Sequence, residues 1–207
     1  KNHIGVFKEP PFTILYSGFL KTLSFEELRS GFAEVLKHAL ISDAALFSEI
    51  ISKNLHDQPW EILLNHSAIF KYSVIQQDPF EKGLRKILNA GHTIGHAIVS
   101  YCMSNGKKVL HGEAIAAGLI TEGFIAVRKN LLDEIPFRKL TDYILSVFGK
   151  ISLQENELIA ISELCQQDKK NKGNKVLCVL PRGIGKAQWD VEISFDEIVA
   201  SLSFYRM

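Results

Sequence analysis

Cysteine is scarce in this sequence, with only Cys102, Cys165 and Cys178 among 207 residues. An odd number at those spacings matches no zinc or disulfide framework, so reduced thiols in a cytoplasmic protein are expected and no chemistry is assigned to them. Charge of one sign is missing as well. The 24 basic and 23 acidic residues are interspersed and leave a formal charge of +1, which gives no electrostatic footprint for nucleic acid or an anionic membrane. No apolar run approaches the roughly 18 residues of a membrane span. No cationic, then apolar, then small-residue leader opens the chain. There are neither internal repeats nor low-complexity segments. What is present in quantity is apolar residues, 46% of the chain, enough for one good core and so for one principal domain.

The local signals are mostly helical. Ser24 with Glu27 is a capping-box signal ahead of Leu28, Phe32, Val35, Leu36, Ala39 and Leu40, which have helical spacing to about Ile41. Glu34, Lys37 and His38 lie together on that helix. Asp43 caps a second helix to about Lys53, and Pro59 to about Gln77 forms a third that carries Lys71. Further helices are expected from His111 through Asn130, from about Ile135 to Val147, from about Leu153 to Gln167 with Ser152 and Glu155 as its cap, and after Ser194, capped with Glu197, to about Ser203. KVLCVLP and GKAQWDVEI, joined by RGIG, read as a β-hairpin. FTILY at residues 12–16 is β-prone and reads as a lone strand. The expectation is a mainly α, multi-helical domain with a small β-hairpin, spanning residues 21–207 after a loop-like opening at 1–20.

One stretch, Glu81 to Gly112, organises the rest. If it is helical from about Leu84, the 100° advance per residue brings Arg85, Asn89, His92 and His96 into a sector of roughly 60°. Leu84, Ile87, Leu88, Ile94 and Ile98 occupy the other faces, the pattern of a helix enclosed by protein. Gly91 and Gly95 each cost about 1 kcal/mol against alanine inside a helix, which implies close packing against the backbone there. An enclosed arginine, amide and pair of imidazoles need partners, and a metal with an anionic, hydroxylated ligand would supply them.

Catalytic zinc takes three protein ligands and keeps a position for water or substrate. Glu34, His92, His96 and His111 offer that chemistry, and spacing leaves more than one choice of three. The i, i+4 pair His92 and His96 matches the metalloprotease spacing, but Thr93 stands where the glutamate base of such a hydrolase would be needed. Core histidines satisfied by backbone carbonyls are the plain alternative. Lys37, Lys71, Arg85, Lys169 and Lys170 are the anion-binding candidates. Lys169 and Lys170, in the DKKNKGNK loop, also suit a solvated basic surface. Glu81 is either a helix N-terminal charge or a catalytic group.

SGFAEVLKHALI around Glu34, EKGLRKILNAGHTIGHA around His92, HGEAIAAG at His111 and DKKNKGNKVLCVLPRGIGKA near the end resemble the successive signatures of the 3-dehydroquinate synthase family. The opening KNHIGVF is similar to the segment that ends that family's nucleotide-binding domain. The resemblance implies the C-terminal domain of the dehydroquinate synthase-like fold and a zinc- and NAD-dependent lyase of the shikimate pathway, with Co2+ able to stand in for Zn2+. In that family an alcohol is transiently oxidised by NAD+, phosphate is eliminated, the ketone is re-reduced, the ring opens, and an intramolecular aldol closure yields 3-dehydroquinate.

Carried over by motif, Glu34, His92 and His111 would be the metal ligands, and His96 a substrate- or phosphate-side group. Lys37, Lys71, Arg85, Asn89 and one of Lys169 and Lys170 would hold the substrate's phosphate, carboxylate and hydroxyls. Glu81 would relay a proton, Asn2 would touch substrate and Lys1 would face the nucleotide. The partner implied is a phosphorylated sugar acid, and the full-length enzyme is expected to be a homodimer. The sequence departs from the family pattern at Val99, where glutamate is common. Because the chain is expected to begin inside the interdomain hinge, the polypeptide alone is expected to be inactive. Related sugar-phosphate cyclases, a glycerol-dehydrogenase-like oxidoreductase and a metal-binding helical module without turnover are the rival readings.

Overall fold

The computed structural model describes residues 11–166 and 175–207. A 3-10 turn over Ser17–Thr22 leads into helix α1 (Phe25–Ser42), whose capping box is formed by Ser24 and Glu27. Helix α2 (Ala44–Ile51) starts on the Asp43 carboxylate, which accepts from the N–H groups of Ala45 and Leu46. A short 3-10 turn (Leu55–Asp57) precedes α3 (Trp60–Gln77), and a third 3-10 segment, Leu84–Asn89, precedes α4 (His92–Ser104). Then come α5 (His111–Arg128), α6 (Glu134–Phe148), α7 (Glu155–Gln166), strands β1 (Val176–Pro181) and β2 (Ala187–Ile193), and α8 (Phe195–Arg206). The fold is mainly α with one antiparallel hairpin.

The core forms around α5. Its buried residues run from Gly112 to Ala126 and include Ala114, Ala116, Ala117, Gly118 and Gly123, so it is enclosed on nearly every side and, Thr121 and Glu122 apart, lined there by small or apolar residues. Small side chains let α4, α1, α6, α8 and β1 all reach it. At Gly118 an added Cβ would stand 1.9 Å from the Gly91 carbonyl oxygen, and at Gly95 one would stand 2.8 Å from that of Ala114. Backbone-to-backbone packing of α4 on α5 therefore requires glycine at both positions.

The hairpin lies on the same core through β1, where Val176, Cys178, Val179 and Leu180 are buried. Its turn is anchored by Gly183 N–H donating to Leu131 O and Gly185 N–H to Leu40 O, each at 2.7 Å. An irregularity between Cys178 and Leu180 interrupts the register, and Asp190, opposite it, has φ 55°.

Three expectations fail locally. Residues 12–16 form no strand: Phe12, Ile14, Leu15 and Tyr16 are exposed, and among the described residues the two strands pair only with each other. Chain with strand propensity but no sheet edge to join stays irregular. Helix α7 starts at Glu155, so Ser152 and Glu155 do not cap it; the Gln154 N–H donates to Glu157 instead. The third failure concerns the helix expected from Leu84. The segment is 3-10 to Asn89, Ala90 is extended, and Gly91 has φ 76°, so α4 begins only at His92. Gly91 is a conformational requirement at a helix start as well as a packing one.

Candidate metal and substrate site

Helices α1, α4 and α5 bring a carboxylate and three imidazoles to one place. Glu34 sits midway along α1, where Oε1 lies 3.4 Å from His92 Nε2 and 3.5 Å from His111 Nε2. One ligand atom from each of His92, His96 and His111 falls within 4.8 Å of the others. The second oxygen of Glu34 accepts from Lys37 Nζ at 2.5 Å. That ammonium, on a side chain only 2% exposed, also donates to Leu88 O at 2.6 Å. Two of the three donors of Lys37 are thereby committed, and one remains for a ligand.

The electrostatics follow from this arrangement. Burial opposes charge on Glu34, but the His92 hydrogen bond and the Lys37 ammonium outweigh it and hold the carboxyl well below the usual carboxylate range. Burial draws Lys37 below its ordinary value despite Glu34. One turn further along the same side of α1, burial pushes His38 down to about 3, and its Nδ1 shares a 2.5 Å hydrogen bond with Ser67. An ionised carboxylate beside several imidazole nitrogens is the donor chemistry of a divalent zinc-type ion, and it fits such an ion with a position left for substrate.

Each donor has a local reason for its place. The Ser30 hydroxyl accepts from Gly112 N–H at 3.0 Å, and an added Cβ at Gly112 would stand 2.0 Å from Ser30 O, so the start of α5, with His111, is seated on α1. Glu113 closes that turn by accepting from Leu110 N–H at 3.0 Å and pairing with Arg29. Asp78 shapes the loop before the 3-10 segment by accepting from the N–H groups of Lys82, Gly83 and Arg85 at 2.7 to 3.0 Å.

Two cavities flank the donors. One, of about 570 Å³, is lined by Glu34, Lys37, Lys71, Glu81, Arg85, Asn89 and His92 among others. The other, of about 380 Å³, shares Glu81, Asn89 and His92, adds His96, and is closed by Lys86, Thr93, Cys178 and Asp190. Glu81 stands between them with φ 56°, an uncommon conformation for a non-glycine residue. Its Oε1 accepts from Asn89 Nδ2 at 2.7 Å. Arg85 lines the larger cavity and donates through Nη1 to Pro79 O at 2.6 Å.

The sequence reading therefore reaches most of the cleft by a different route. Arg85 and Asn89 do not share a helix face with His92 and His96, because the backbone turns at Gly91; they join them across the cavities. Nor is the stripe enclosed, since His96 is exposed. Lys1, Asn2, Lys169 and Lys170 lie outside the described residues.

Sequence reasoning missed Lys86 and Asp190, whose side chains pair at 2.7 Å across the smaller cavity, since residues 104 apart carry no local signal. It also missed Glu122. That carboxyl group is 1% exposed and meets the start of α4, and burial pushes it up to about 8 against the backbone hydrogen bonds of Gly91, Ile94 and Thr93. A charged residue amid the small side chains of α5 was the available clue.

Comparisons with known proteins agree with this architecture. The family profile described as 3-dehydroquinate synthase C-terminal matches residues 31–171. The 3-dehydroquinate synthase of Parabacteroides distasonis is 31% identical over 212 residues, covering 100% of this chain and 59% of that protein. That of Picosynechococcus sp. is 37% identical, covering 98% and 57%. The chain thus spans somewhat under three fifths of these relatives. Among solved structures, the 2-epi-5-epi-valiolone synthase ValA of Streptomyces hygroscopicus, with NAD+ and Zn2+ bound, superposes with TM-score 0.82 at 26% identity over 99% of this chain and 58% of its own. A 2-deoxy-scyllo-inosose synthase complexed with carbaglucose-6-phosphate, NAD+ and Co2+ gives TM-score 0.68 at 25% identity, covering 86% and 52%. With a profile match over more than half its length and these donors in one cleft, the chain belongs to the 3-dehydroquinate synthase C-terminal family.

Proposed function

We propose that these residues form the metal- and substrate-binding part of a 3-dehydroquinate synthase, a zinc- and NAD-dependent lyase that converts 3-deoxy-arabino-heptulosonate 7-phosphate into 3-dehydroquinate and phosphate in the cytoplasmic shikimate pathway. The observation that carries this reading is the meeting of Glu34 Oε1 with the Nε2 atoms of His92 and His111 at 3.4 and 3.5 Å, with Glu34 and His92 on the wall of a cavity also lined by Lys37, Lys71, Arg85 and Asn89. A cation set that close to metal donors makes sense when an anion lies between them.

Glu34, His92 and His111 would hold the ion, and His96 would face the substrate. When bound, a divalent ion would acidify a substrate hydroxyl and NAD+ would accept and return a hydride. The rest falls to this chain's own side chains. Lys71, Arg85 and the remaining Lys37 donor bind the anionic groups and favour departure of phosphate by holding positive charge over it. Asn89 orients Glu81, whose carboxylate can take and return a proton at a substrate oxygen. By the family resemblance, Asn2 and one of Lys169 and Lys170 would extend the substrate contacts and Lys1 would face the nucleotide. Holding one conformer supplies most of what elimination and aldol closure need. The 207 residues hold no glycine-rich dinucleotide loop, so they are not expected to turn over by themselves. The complete enzyme is proposed to be a homodimer.

A second reading, a sibling cyclase acting on a sugar phosphate without a carboxylate, draws on the likeness to the valiolone and inosose synthases. A glycerol-dehydrogenase-like enzyme is disfavoured by Glu34, where that class has aspartate in its metal set. Calorimetric titration of the zinc-loaded chain separates the first two. Tighter binding of the heptulosonate phosphate than of a heptulose phosphate lacking the carboxylate is expected. Equal or reversed preference would transfer the assignment to the sibling class.

A further inference from the structure

Helix α4 begins without a cap of its own. The residue before it, Gly91, has φ 76°, and an added Cβ there would stand 3.0 Å from the Ile115 carbonyl oxygen and 2.9 Å from Leu119 Cδ2. A serine, aspartate or asparagine is thus kept out of the position that normally supplies the capping oxygen. Yet this turn carries His92 as its first residue and His96 one turn on, so fraying here would displace two imidazoles at once.

The orphan N–H groups are met from α5. Glu122 accepts from Gly91 N–H with Oε2 and from Ile94 N–H at 3.2 Å with Oε1, and the Thr93 N–H also bonds to it. A carboxyl group this deeply buried is unfavourable unless its oxygens are satisfied, and here both are satisfied by the first turn of α4. The same helix holds His111 at its N-terminus, about three turns from Glu122. One rigid element therefore bears one imidazole and the clamp for the other two.

We propose that Glu122 is a positioning residue for the metal and substrate site, fixing the first turn of α4 on α5 so that His92 and His96 face His111 and Glu34. It touches neither ion nor substrate and acts through the α4 backbone. The inference rests on the metal-site reading given above.

The test compares wild type with Glu122→Gln, which keeps the shape but replaces one accepting oxygen by an NH2 group that cannot accept from the α4 amides, using Co2+ alone as the probe. Wild type is expected to give a saturable Co2+ d–d absorption band. The variant, still folded by circular dichroism, should bind Co2+ at least about tenfold more weakly with a changed band. In metal-free protein, hydrogen exchange at the Gly91 and Ile94 amides should be slow in wild type and faster in the variant, while amides of α6 and α8 stay unchanged. A folded variant with the wild-type Co2+ affinity and band overturns the proposal. If Glu122→Gln does not fold, Glu122→Asp, one methylene too short, is held to the same criteria, and loss of the fold in both makes Glu122 a core residue only and overturns it. If wild type binds no Co2+, the metal reading fails, and amide exchange alone decides the clamp: loosening confined to Gly91 and Ile94 upholds it, and unchanged exchange overturns it.

Discussion

Glu34 divides its two oxygens between a cation and two imidazoles, and this division makes the residue's contribution measurable without any metal. Lys37 is 2% exposed and, without Glu34, would keep only the Leu88 carbonyl. Leaving a buried charged donor short of a partner costs roughly 1–3 kcal/mol. Glu34→Ala should therefore lower the metal-free protein's stability by about that amount in urea unfolding, and adding Lys37→Met should recover most of it. His38 gives a pH signature. Its folded-state pKa of about 3 lies below the ordinary 6.5, so between those values the unfolded chain binds the proton more readily. Stability then rises with pH across that window. His38→Asn, which cannot titrate, should show a flatter acid limb than wild type, and superimposable thermal midpoints from pH 4 to 6.5 would contradict the account.

Among the elements, the α4–α5 contact is the most demanding. Gly118→Ala would force a Cβ to within 1.9 Å of Gly91 O, against backbone that cannot yield cheaply. A loss of about 1–3 kcal/mol is expected, with Co2+ binding weakened along with it. Gly31→Ala is the control: nothing stands within 4 Å of its Cβ position in α1, so the same substitution should stabilise by about 0.5–1 kcal/mol. Equal effects of the two changes in a denaturant titration would mean that the close approach of α4 to α5 is not what Gly118 serves.

This contact also marks how far the sequence could be read. Capping boxes at Ser24 and Ser194, the aspartate at the start of α2 and the hairpin turn are local signals, and they stand where the pattern put them. Helical position among apolar neighbours offers Glu34, His92, His96 and His111 without choosing three of them; the choice of Glu34, His92 and His111 comes only from the family resemblance, and the structure gathers all four side chains in one cleft. The break at Gly91 was not legible, since a glycine with φ 76° and one inside a helix look alike in sequence. Asp78, Lys86, Asp190 and Glu122 act through partners distant in the chain or through backbone, which leaves no periodic trace. The residues 12–16 misled because strand propensity says nothing about whether a sheet edge is available.

At the scale of the whole molecule, no helix among the described residues is long and apolar enough to cross a membrane. The chain spans 57–59% of the relatives named above. A site assembled from α1, α4 and the start of α5 ties together elements far apart in sequence, so an ion bound there should stabilise the fold as a unit. At a free Zn2+ concentration of about 100 times the dissociation constant the gain is about 2.7 kcal/mol, which thermal unfolding with and without chelator would register. An unchanged midpoint would mean that no ion bridges the three helices.

Two overlapping ligand sets are compatible with the distances, Glu34 with His92 and His111, or the three imidazoles His92, His96 and His111. Co2+ titration of the four single alanine variants, each checked for folding, separates them. The account predicts that Glu34→Ala, His92→Ala and His111→Ala lose the tight site while His96→Ala keeps it. Retention by Glu34→Ala together with loss in His96→Ala would contradict it.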